Sequence, residues 1–298
     1  MQKHRLNQTL RKNIVGYAFL APFLILFFTF IILPVLSAFV LSLTNYNMLQ
    51  TPDFVGFNNY KLLLLEDNEF ITALKNTFVF ACISGPIGFI ASFFFATVIN
   101  STRFKSGFSL AFYAPSLCSG VAMSCIWLYF FSSDRYGFIN DILIDLGFIE
   151  SPILWTADPN YIMYVIVIIS VWMSMGTGFL VFLAGLQNLG AEVLEAGRID
   201  GIKNRIQEMI YIILPMMKPQ LLFGAINSIV SSFAIYDIAV SVAGLPSPEY
   251  AGHTIVAHMC DYAFNRMQMG YASSVAVILF VITFVLGRIC TRIFSSDE

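Results

Sequence analysis

This chain is poor in charged residues. Asp, Glu, Lys and Arg make up 11% of its 298 residues, against about 25% in a typical soluble domain. Hydrophobic residues reach 58%, which is more apolar surface than a soluble domain of this length buries in one core. The composition therefore predicts a polytopic membrane protein. No basic face is present to neutralise phosphates, which argues against nucleic-acid binding.

The sequence also lacks the short motifs of several enzyme classes. No GxxxxGK[ST] phosphate-binding loop occurs, so the chain is not expected to hydrolyse ATP itself. HExxH, GxSxG and an intramembrane carboxylate pair are absent, which argues against a membrane protease or hydrolase. His253, His258, Cys260 and Asp261 cluster in one segment. Their spacing keeps the two histidines off a common helix face, so we predict a polar loop there and no metal site.

Six apolar stretches are long enough to cross a bilayer, which takes a helix of about 20 residues. They cover residues 15–43, 73–99, 107–131, 161–186, 217–240 and 271–294. The sequence therefore predicts an all-α fold, with one six-helix transmembrane domain over 15–294 between short tails, 1–14 and 295–298. Asp67 and Asp158-Pro159 fit helix caps. Pro22 and Pro34 are expected to kink the first span.

The basic residues predict how the chain is oriented. With a cytoplasmic N-terminus, twelve of the sixteen Lys and Arg residues fall in inside segments, and four fall outside: Lys61, Lys75, Arg135 and Arg266. Both tails are therefore expected in the cytoplasm. The long charged segment 190–216, between the fourth and fifth spans, is expected on the same side.

Segment 190–216 has the pattern of two short amphipathic helices joined by a turn. The first is expected over Ala191–Ile199 and the second over residues 203–214, with Asp200-Gly201 as the break and Pro215 as the end. Such a pair on the membrane face would present a knob to a cytosolic partner. Spacing alone leaves open a second interpretation, an interfacial amphipathic loop without a partner.

Few polar side chains lie inside the predicted spans. Asp237, which follows Tyr236 near the outer end of the fifth span, is the acidic residue within the spans. A charge at membrane depth costs about 2.5–3.5 kcal/mol on insertion scales, so Asp237 is either functional or an anchor at the interface. Small hydroxyl residues either pack helices closely or line a path for a hydroxyl-rich solute. The candidates are Ser116, Ser119, Ser170, Ser174, Ser231 and Ser232.

Three motifs in segment 190–216 resemble the EAA loop of bacterial ABC importer permeases. They are Glu195-Ala196-Gly197, Asp200-Gly201 and Leu214-Pro215. The context is similar to the carbohydrate-importer branch of maltose and glycerol-phosphate permeases, and residues 17–45, 54–80, 137–147 and 270–276 agree in the same order. The resemblance covers nearly the whole chain.

The segment also departs from the family pattern in three ways. Gly197 stands where alanine is usual, and Ile202 replaces a small residue. One extra residue lies between Asp200 and Pro215, which would rotate the following helix face by about 100°.

The resemblance implies the type I ABC importer permease fold and a transport subunit rather than an enzyme, located in the bacterial cell (inner or plasma) membrane. The implied partners are a second homologous permease, an ABC ATPase dimer that holds ATP and Mg²⁺, and an extracellular or periplasmic solute-binding protein. No cofactor is expected on this chain. Glu195 would anchor the ATPase, Ala196 and Gly197 would pack against it, and Asp200 and Gly201 would cap and turn the loop.

The cargo implied by the resemblance is a sugar or oligosaccharide. The alternatives are an ABC permease for another solute, such as a polyol phosphate or a peptide, and a secondary transporter. The absence of basic residues from the middle of the spans disfavours an anionic cargo.

Overall fold

The computed structural model describes residues 16–295. The predicted tail 1–14, with its basic residues, and positions 296–298 lie outside the described residues. The helices are, in chain order, α1 Gly16–Leu41, α2 Asn58–Leu65, α3 Asn68–Asn100, α4 Lys105–Leu117, α5 Gly120–Phe130, α6 Phe138–Asp145, α7 Pro159–Met173, α8 Thr177–Gln187, α9 Ala191–Ile199, α10 Arg205–Glu208, α11 Lys218–Phe233, α12 Asp237–Ala243, α13 Ile255–Cys260 and α14 Met269–Ser295.

Shorter elements join these helices. Two antiparallel strands, β1 Thr44–Asn45 and β2 Asp53–Phe54, form a hairpin after α1. A 3-10 turn covers Pro248–Tyr250 and a short α-helical turn covers Leu214–Met216. The π-helical turns lie at Phe28–Ile32 within α1, at Met209–Ile213 after α10 and at Asp261–Asn265 after α13. The π turn of α1 ends two residues before Pro34, and the helix continues through both Pro22 and Pro34.

Side-chain caps fix where the long helices begin. The Asp67 carboxylate accepts a hydrogen bond from the Phe70 N–H at 2.9 Å, and Asp158 accepts one from the Asn160 N–H at 2.9 Å with a proline in the first turn. Each bond satisfies a backbone donor that the helix itself leaves free. Both caps predicted from the sequence are confirmed.

Five of the helical spans are long and apolar enough to cross a membrane on their own: Gly16–Leu41, Asn68–Asn100, Pro159–Gln187, Lys218–Ala243 and Met269–Ile293. The pair α4 and α5 meets the same criterion with a bend of 99° between its halves. Phe112 of α4 packs on Phe95 near the end of α3, while Phe131 after α5 packs on Trp155 ahead of α7. The pair therefore traverses the bundle as one broken span, and the predicted six-helix membrane fold is confirmed.

Three of the predicted spans are not continuous helices. The helix breaks at residues 118–119 in the third span, at 174–176 in the fourth and at 234–236 in the fifth. Hydropathy does not detect these breaks because the residues on both sides are apolar. The first and last spans run through without a break of this kind.

Helix α3 lies at the centre of the fold and contributes to three apolar clusters. Its Phe70 packs with α13 and α14, its Phe80 with α7 and α12, and its Ala96 with α8 and α11. Glycines bring its neighbours close: a β-carbon on Gly85 would lie 3.2 Å from the Ser232 hydroxyl. Small residues commonly allow such close approach between membrane helices. In contrast, the apolar stretch of α1 has no buried residue.

We refer to the two ends of the bundle by their connections. The loop end carries residues 101–104 and 188–217, and the cap end carries residues 42–67, 131–158 and 244–268. Because α1 ends at the cap end and α14 begins there, residues 16 and 295 both lie at the loop end. The cytoplasmic location of that end stays a prediction.

Candidate functional site

A cavity of about 420 Å³ lies where the three broken spans meet α3. Aromatic rings and other apolar groups, including Phe80, Phe89 and Phe182, form part of its wall. Its polar wall consists of Ser84, Ser92, Ser116, Ser170, Ser174, Thr177, Asn227, Ser228, Ser231, Ser232, Tyr236 and Asp237. The wall therefore combines aromatic faces with hydrogen-bonding groups that are neutral apart from Asp237.

The helix breaks form this cavity. A β-carbon on Gly176, in the α7–α8 break, would lie 2.8 Å from Ser116 Cβ, at the end of α4. A β-carbon on Gly120, which begins α5, would lie 3.0 Å from Asp237 Cβ, which begins α12. The glycines thus let the three breaks approach one another. Backbone groups released from helices at membrane depth need a water-filled or protein-lined space, and the cavity supplies it.

Most of the residues predicted to line a path do line this cavity. Seven of the eight belong to its wall: Ser116, Ser170, Ser174, Ser231, Ser232, Tyr236 and Asp237. Ser119 is not among the cavity-lining residues. Its hydroxyl accepts a hydrogen bond from the Ala122 N–H at 3.2 Å and caps α5.

Sequence reasoning missed the contribution of α3 to the wall. Ser84, Gly88 and Ser92 recur every four residues and therefore share one helix face, and all three line the cavity. That spacing was a usable signal. Asn227 and Ser228 of α11 were also missed, and the Ser228 hydroxyl donates to the Gly85 carbonyl at 2.9 Å, tying α11 to α3.

Asp237 is the first residue of α12 and is exposed to the cavity. Within residues 16–295 its carboxylate has neither a salt-bridge nor a hydrogen-bond partner. The glycine at position 120 gives the side chain its room, since a β-carbon there would lie 3.3 Å from Asp237 Oδ2. An unpaired carboxylate therefore faces the space between the broken helices.

Segment 190–216 contains the predicted helix–turn–helix. Helix α9 has the predicted bounds, Ala191–Ile199. Gly201 turns the chain with φ +105°, a conformation that residues with a side chain rarely adopt. The Ile202 N–H then closes the turn on the Gly197 carbonyl at 3.0 Å.

The second helix begins later than predicted. Asn204 caps it by accepting from the Gln207 N–H at 2.8 Å, and the Gln207 side chain accepts from the Lys203 N–H at 2.9 Å. The helix therefore starts at Arg205 rather than at residue 203.

Two of the unusual residues of this segment pack together. A β-carbon on Gly197 would lie 3.2 Å from Ile202 Cδ1 and closer than 3.0 Å to Ile212 Cδ1. The large Ile202 and the glycine at position 197 are therefore two parts of one packing arrangement. Ile202 and Ile212 occupy the space that an alanine methyl group at position 197 would need.

A π turn lies in the stretch between Asp200 and Pro215 where the sequence predicts one extra residue. After α10, the Leu214 N–H bonds to the Met209 carbonyl across a π turn, Met209–Ile213. A π turn closes over five residues instead of four and so takes up one additional residue. Such a turn before Leu214-Pro215 would offset the rotation of the helix face that the sequence predicts.

The other residues predicted to contact a partner lie at the surface of the loop end. Glu195, Ala196, Asp200, Gly201 and Pro215 are exposed, Leu214 is half-buried and Gly197 is buried. An ion pair between Arg198 Nη2 and Glu208 Oε2 at 3.5 Å joins the two helices. Surface pairs of this kind contribute about 0–1 kcal/mol.

The sequence predicts a polar loop around His253 and His258, but the structure buries both side chains. His253 and His258 are 2% and 0% exposed, and His253 Nε2 lies 3.3 Å from His258 Nδ1. The contact forms because His253 precedes α13 while His258 lies within it. Asp261 instead pairs with Arg266 at 2.8 Å. Across the described part of the chain, no group of three His, Cys, Asp or Glu residues is placed to hold a metal ion.

This histidine pair is linked to the beginning of α3. His258 Nε2 lies 3.2 Å from Asp67 Oδ2, and the Tyr271 hydroxyl donates to the same oxygen. Burial alone would raise the pKa of Asp67, but the contacts from His258, Tyr271 and the Phe70 N–H hold that pKa well below its usual value. Burial, together with the neighbouring His258, lowers the pKa of His253 to about 4.

Comparison with known proteins gives consistent matches over nearly the whole chain. The family model described as "Binding-protein-dependent transport system inner membrane component" matches residues 68–296. "Probable ABC transporter permease protein YesP" of Bacillus subtilis (strain 168) is 32% identical, covering 98% of this chain and 93% of that protein. "Arabinooligosaccharides transport system permease protein AraP" of the same organism is 29% identical, covering 96% and 90%. "Lactose transport system permease protein LacF" of Rhizobium radiobacter is 29% identical, covering 92% of each.

A solved structure shares the fold. A chain of a bacterial ABC transporter involved in the import of the acidic polysaccharide alginate superposes with a TM-score of 0.83 at 19% identity, covering 99% of both chains.

Proposed function

The chain belongs to the family of binding-protein-dependent transport system inner membrane components, and we propose that it conducts a sugar or oligosaccharide as one of two permease subunits of an ABC importer. It is a multi-pass membrane protein and a transport subunit, not an enzyme. The proposed location is the bacterial cell membrane, with the loop end in the cytoplasm.

The cavity is the observation that carries the choice of cargo. A sugar offers many hydroxyl groups and apolar C–H faces, which need neutral hydrogen-bonding groups and aromatic surfaces in a site. The cavity wall provides serine hydroxyls, the Asn227 amide and the rings of Phe80, Phe89 and Phe182. Relatives that align along almost their full length are named for arabinooligosaccharide and lactose transport, which supports the same cargo class.

Segment 190–216 is the proposed contact with the ATPase. Its exposed first half, Glu195 to Gly201, would dock into the ATPase, with Glu195 as polar anchor and Ala196 at the contact. The buried Gly197 would let the two helices of the segment pack closely. The partner ATPase dimer would bind ATP and Mg²⁺, and its closure would move the loop end of each permease.

The remaining partners would meet the chain along its spans and at its opposite end. A second homologous permease would complete the path along the spans, and an external solute-binding protein would deliver the cargo at the cap end. A polyol phosphate fits the cavity less well, because no basic side chain lies among its described lining residues. Because the chain belongs to this family, the alternative of a secondary transporter is rejected.

Uptake of a labelled sugar into proteoliposomes tests the proposal. The vesicles would hold the complete transporter, with its binding protein outside and ATP inside. We expect uptake that depends on ATP, and we expect Gly201→Asp to abolish it without preventing membrane insertion, since φ +105° strains any side chain. Gly147→Asp is the matched control, because Gly147 also has a positive φ, +73°, and open surroundings but lies at the cap end.

Two results would count against the proposal. Wild-type uptake rates in Gly201→Asp would show that the segment does not couple to the ATPase. If none of a broad panel of sugars entered the vesicles, the sugar assignment would be wrong.

A further inference from the structure

The cavity wall carries charge of one sign. Asp237 is acidic, and no Lys, Arg or His occurs among the described residues that line the cavity. The other polar groups of the wall are hydroxyls and one amide, which are neutral. Any cargo that enters this part of the path therefore meets a carboxylate and no basic group from this chain.

The carboxylate has no side-chain partner in the described part of the fold and lies in the first turn of α12. Asp237 has no salt-bridge or hydrogen-bond partner within residues 16–295. A charged side chain at membrane depth is costly unless it faces water, a partner or a ligand. Helix packing alone would be served equally well by a neutral residue. Gly120 also leaves space for the carboxylate, since any larger residue there would crowd Asp237 Cβ at 3.0 Å.

We infer that Asp237 determines specificity for charge, and that the cargo is an uncharged saccharide. This inference rests on the proposed function. The carboxylate accepts hydrogen bonds from sugar hydroxyls, and such charge-assisted bonds are stronger than neutral ones. The same carboxylate repels uronates and phosphorylated sugars.

The size of the discrimination follows from Coulomb's law. Two like charges about 4 Å apart repel strongly enough to lower affinity by a factor between about five and about a thousand, depending on how much water surrounds them. Asp237 faces a cavity that is open to solvent, so we expect a value of about tenfold, towards the lower end of this range.

Binding of matched sugars to the complete transporter in nanodiscs tests the inference. The external binding protein is left out, so that its own specificity does not decide the result. The probes are two pairs of trisaccharides that differ at carbon 6: α-1,4-linked galactotriose with trigalacturonate, and maltotriose with the corresponding triglucuronate. Saturation-transfer NMR would give the affinity of each probe.

We expect the wild-type transporter to bind the neutral member of a pair about tenfold more tightly than the uronate. Asp237→Asn should reduce this ratio to about one, and Asp237→Glu should keep it, because charge rather than shape sets it. Ser231→Ala is the matched control on the same wall and should weaken both members of a pair equally.

Three results would overturn the inference. One is a wild-type transporter that binds the uronate as well as the neutral sugar. Another is an unchanged ratio in Asp237→Asn. The third is binding of neither member of either pair, which would leave Asp237 no saccharide to discriminate, whereas sugar uptake by the proteoliposomes described above would still support the proposed function.

Discussion

The contact between Gly197 and Ile212 gives the sharpest test of how the two halves of segment 190–216 are joined. In Gly197→Ala, the new methyl carbon would lie closer than 3.0 Å to Ile212 Cδ1, whereas carbon atoms pack at about 3.5–4.0 Å. Either Ile212 leaves its rotamer or α9 moves away from the π turn. Both responses change the surface that the segment offers to an ATPase.

The expected energy is small compared with the stability of the whole protein. An off-rotamer side chain costs about 0.5–1.5 kcal/mol, and overpacking costs about 1–3 kcal/mol. Alanine in place of glycine recovers up to about 1 kcal/mol of helix propensity. The net strain of about 1–2 kcal/mol is enough to change a conformational equilibrium about 5- to 30-fold. We therefore expect a folded transporter whose loop is displaced.

The assay is the ATPase activity of the reconstituted transporter with and without the loaded binding protein. Gly197→Ala should lower the stimulated rate several-fold, while the amount of assembled complex stays the same. Ile212→Val removes the Cδ1 atom that the new methyl group meets, leaving 3.2 Å to Ile202 Cδ1 and 3.6 Å to Ile212 Cγ1. The double variant should therefore recover stimulation, and the four rates together form a double-mutant cycle.

Gly190→Ala is the matched control for this cycle. Gly190 precedes α9 in the same segment, and a β-carbon there would meet nothing within 4 Å. Its stimulation should stay near the wild-type rate. If Gly197→Ala were stimulated as strongly as the wild type, or if Ile212→Val failed to improve it, this contact would not set the geometry of the loop.

Local signals allowed parts of this structure to be predicted from the sequence. The bounds of α9 follow from apolar spacing between two glycines, and the caps Asp67 and Asp158 follow from an acidic residue ahead of an apolar run. Each of these features depends on residues within a few positions of one another. The six spans were equally accessible, because hydrocarbon length requires about 20 apolar residues wherever the chain crosses.

Features that depend on contacts between residues far apart in the chain could not be predicted from the sequence. The breaks in the third, fourth and fifth spans become visible only when Gly176 lies against Ser116 and Gly120 against Asp237. His258 is buried against Asp67, which caps α3, and Tyr271 of α14, and both are distant from it in the sequence or belong to another element. Spacing within the segment therefore suggested an open loop where the fold makes a buried contact.

The serines show the same difference between features set by local sequence and features set by distant contacts. Hydroxyls inside apolar spans were candidates because they either pack helices closely or line a path for a hydroxyl-rich solute. Ser119 was placed among them since a cap is recognisable only once the break before α5 is known. Ser84 and Ser92 were not among the candidates, although their four-residue spacing places them on one face of α3 that lines the cavity.

Two further predictions concern the cap end and use thermal unfolding in detergent. Gly270→Ala should destabilise the protein by about 2–3 kcal/mol, because its methyl group would overlap the Thr44 carbonyl oxygen, which is backbone; Gly287→Ala on the same helix meets nothing within 4 Å and should not. Stability should also depend on pH through His253, because burial beside His258 lowers its folded pKa to about 4. The unfolded chain then binds the proton more readily, so this contribution is complete above the ordinary histidine pKa of about 6.5. It is lost at up to about 1.4 kcal/mol per pH unit as the pH falls towards 4. His253→Gln should flatten the curve over that interval, and an unchanged slope would show that the histidine does not titrate in this way.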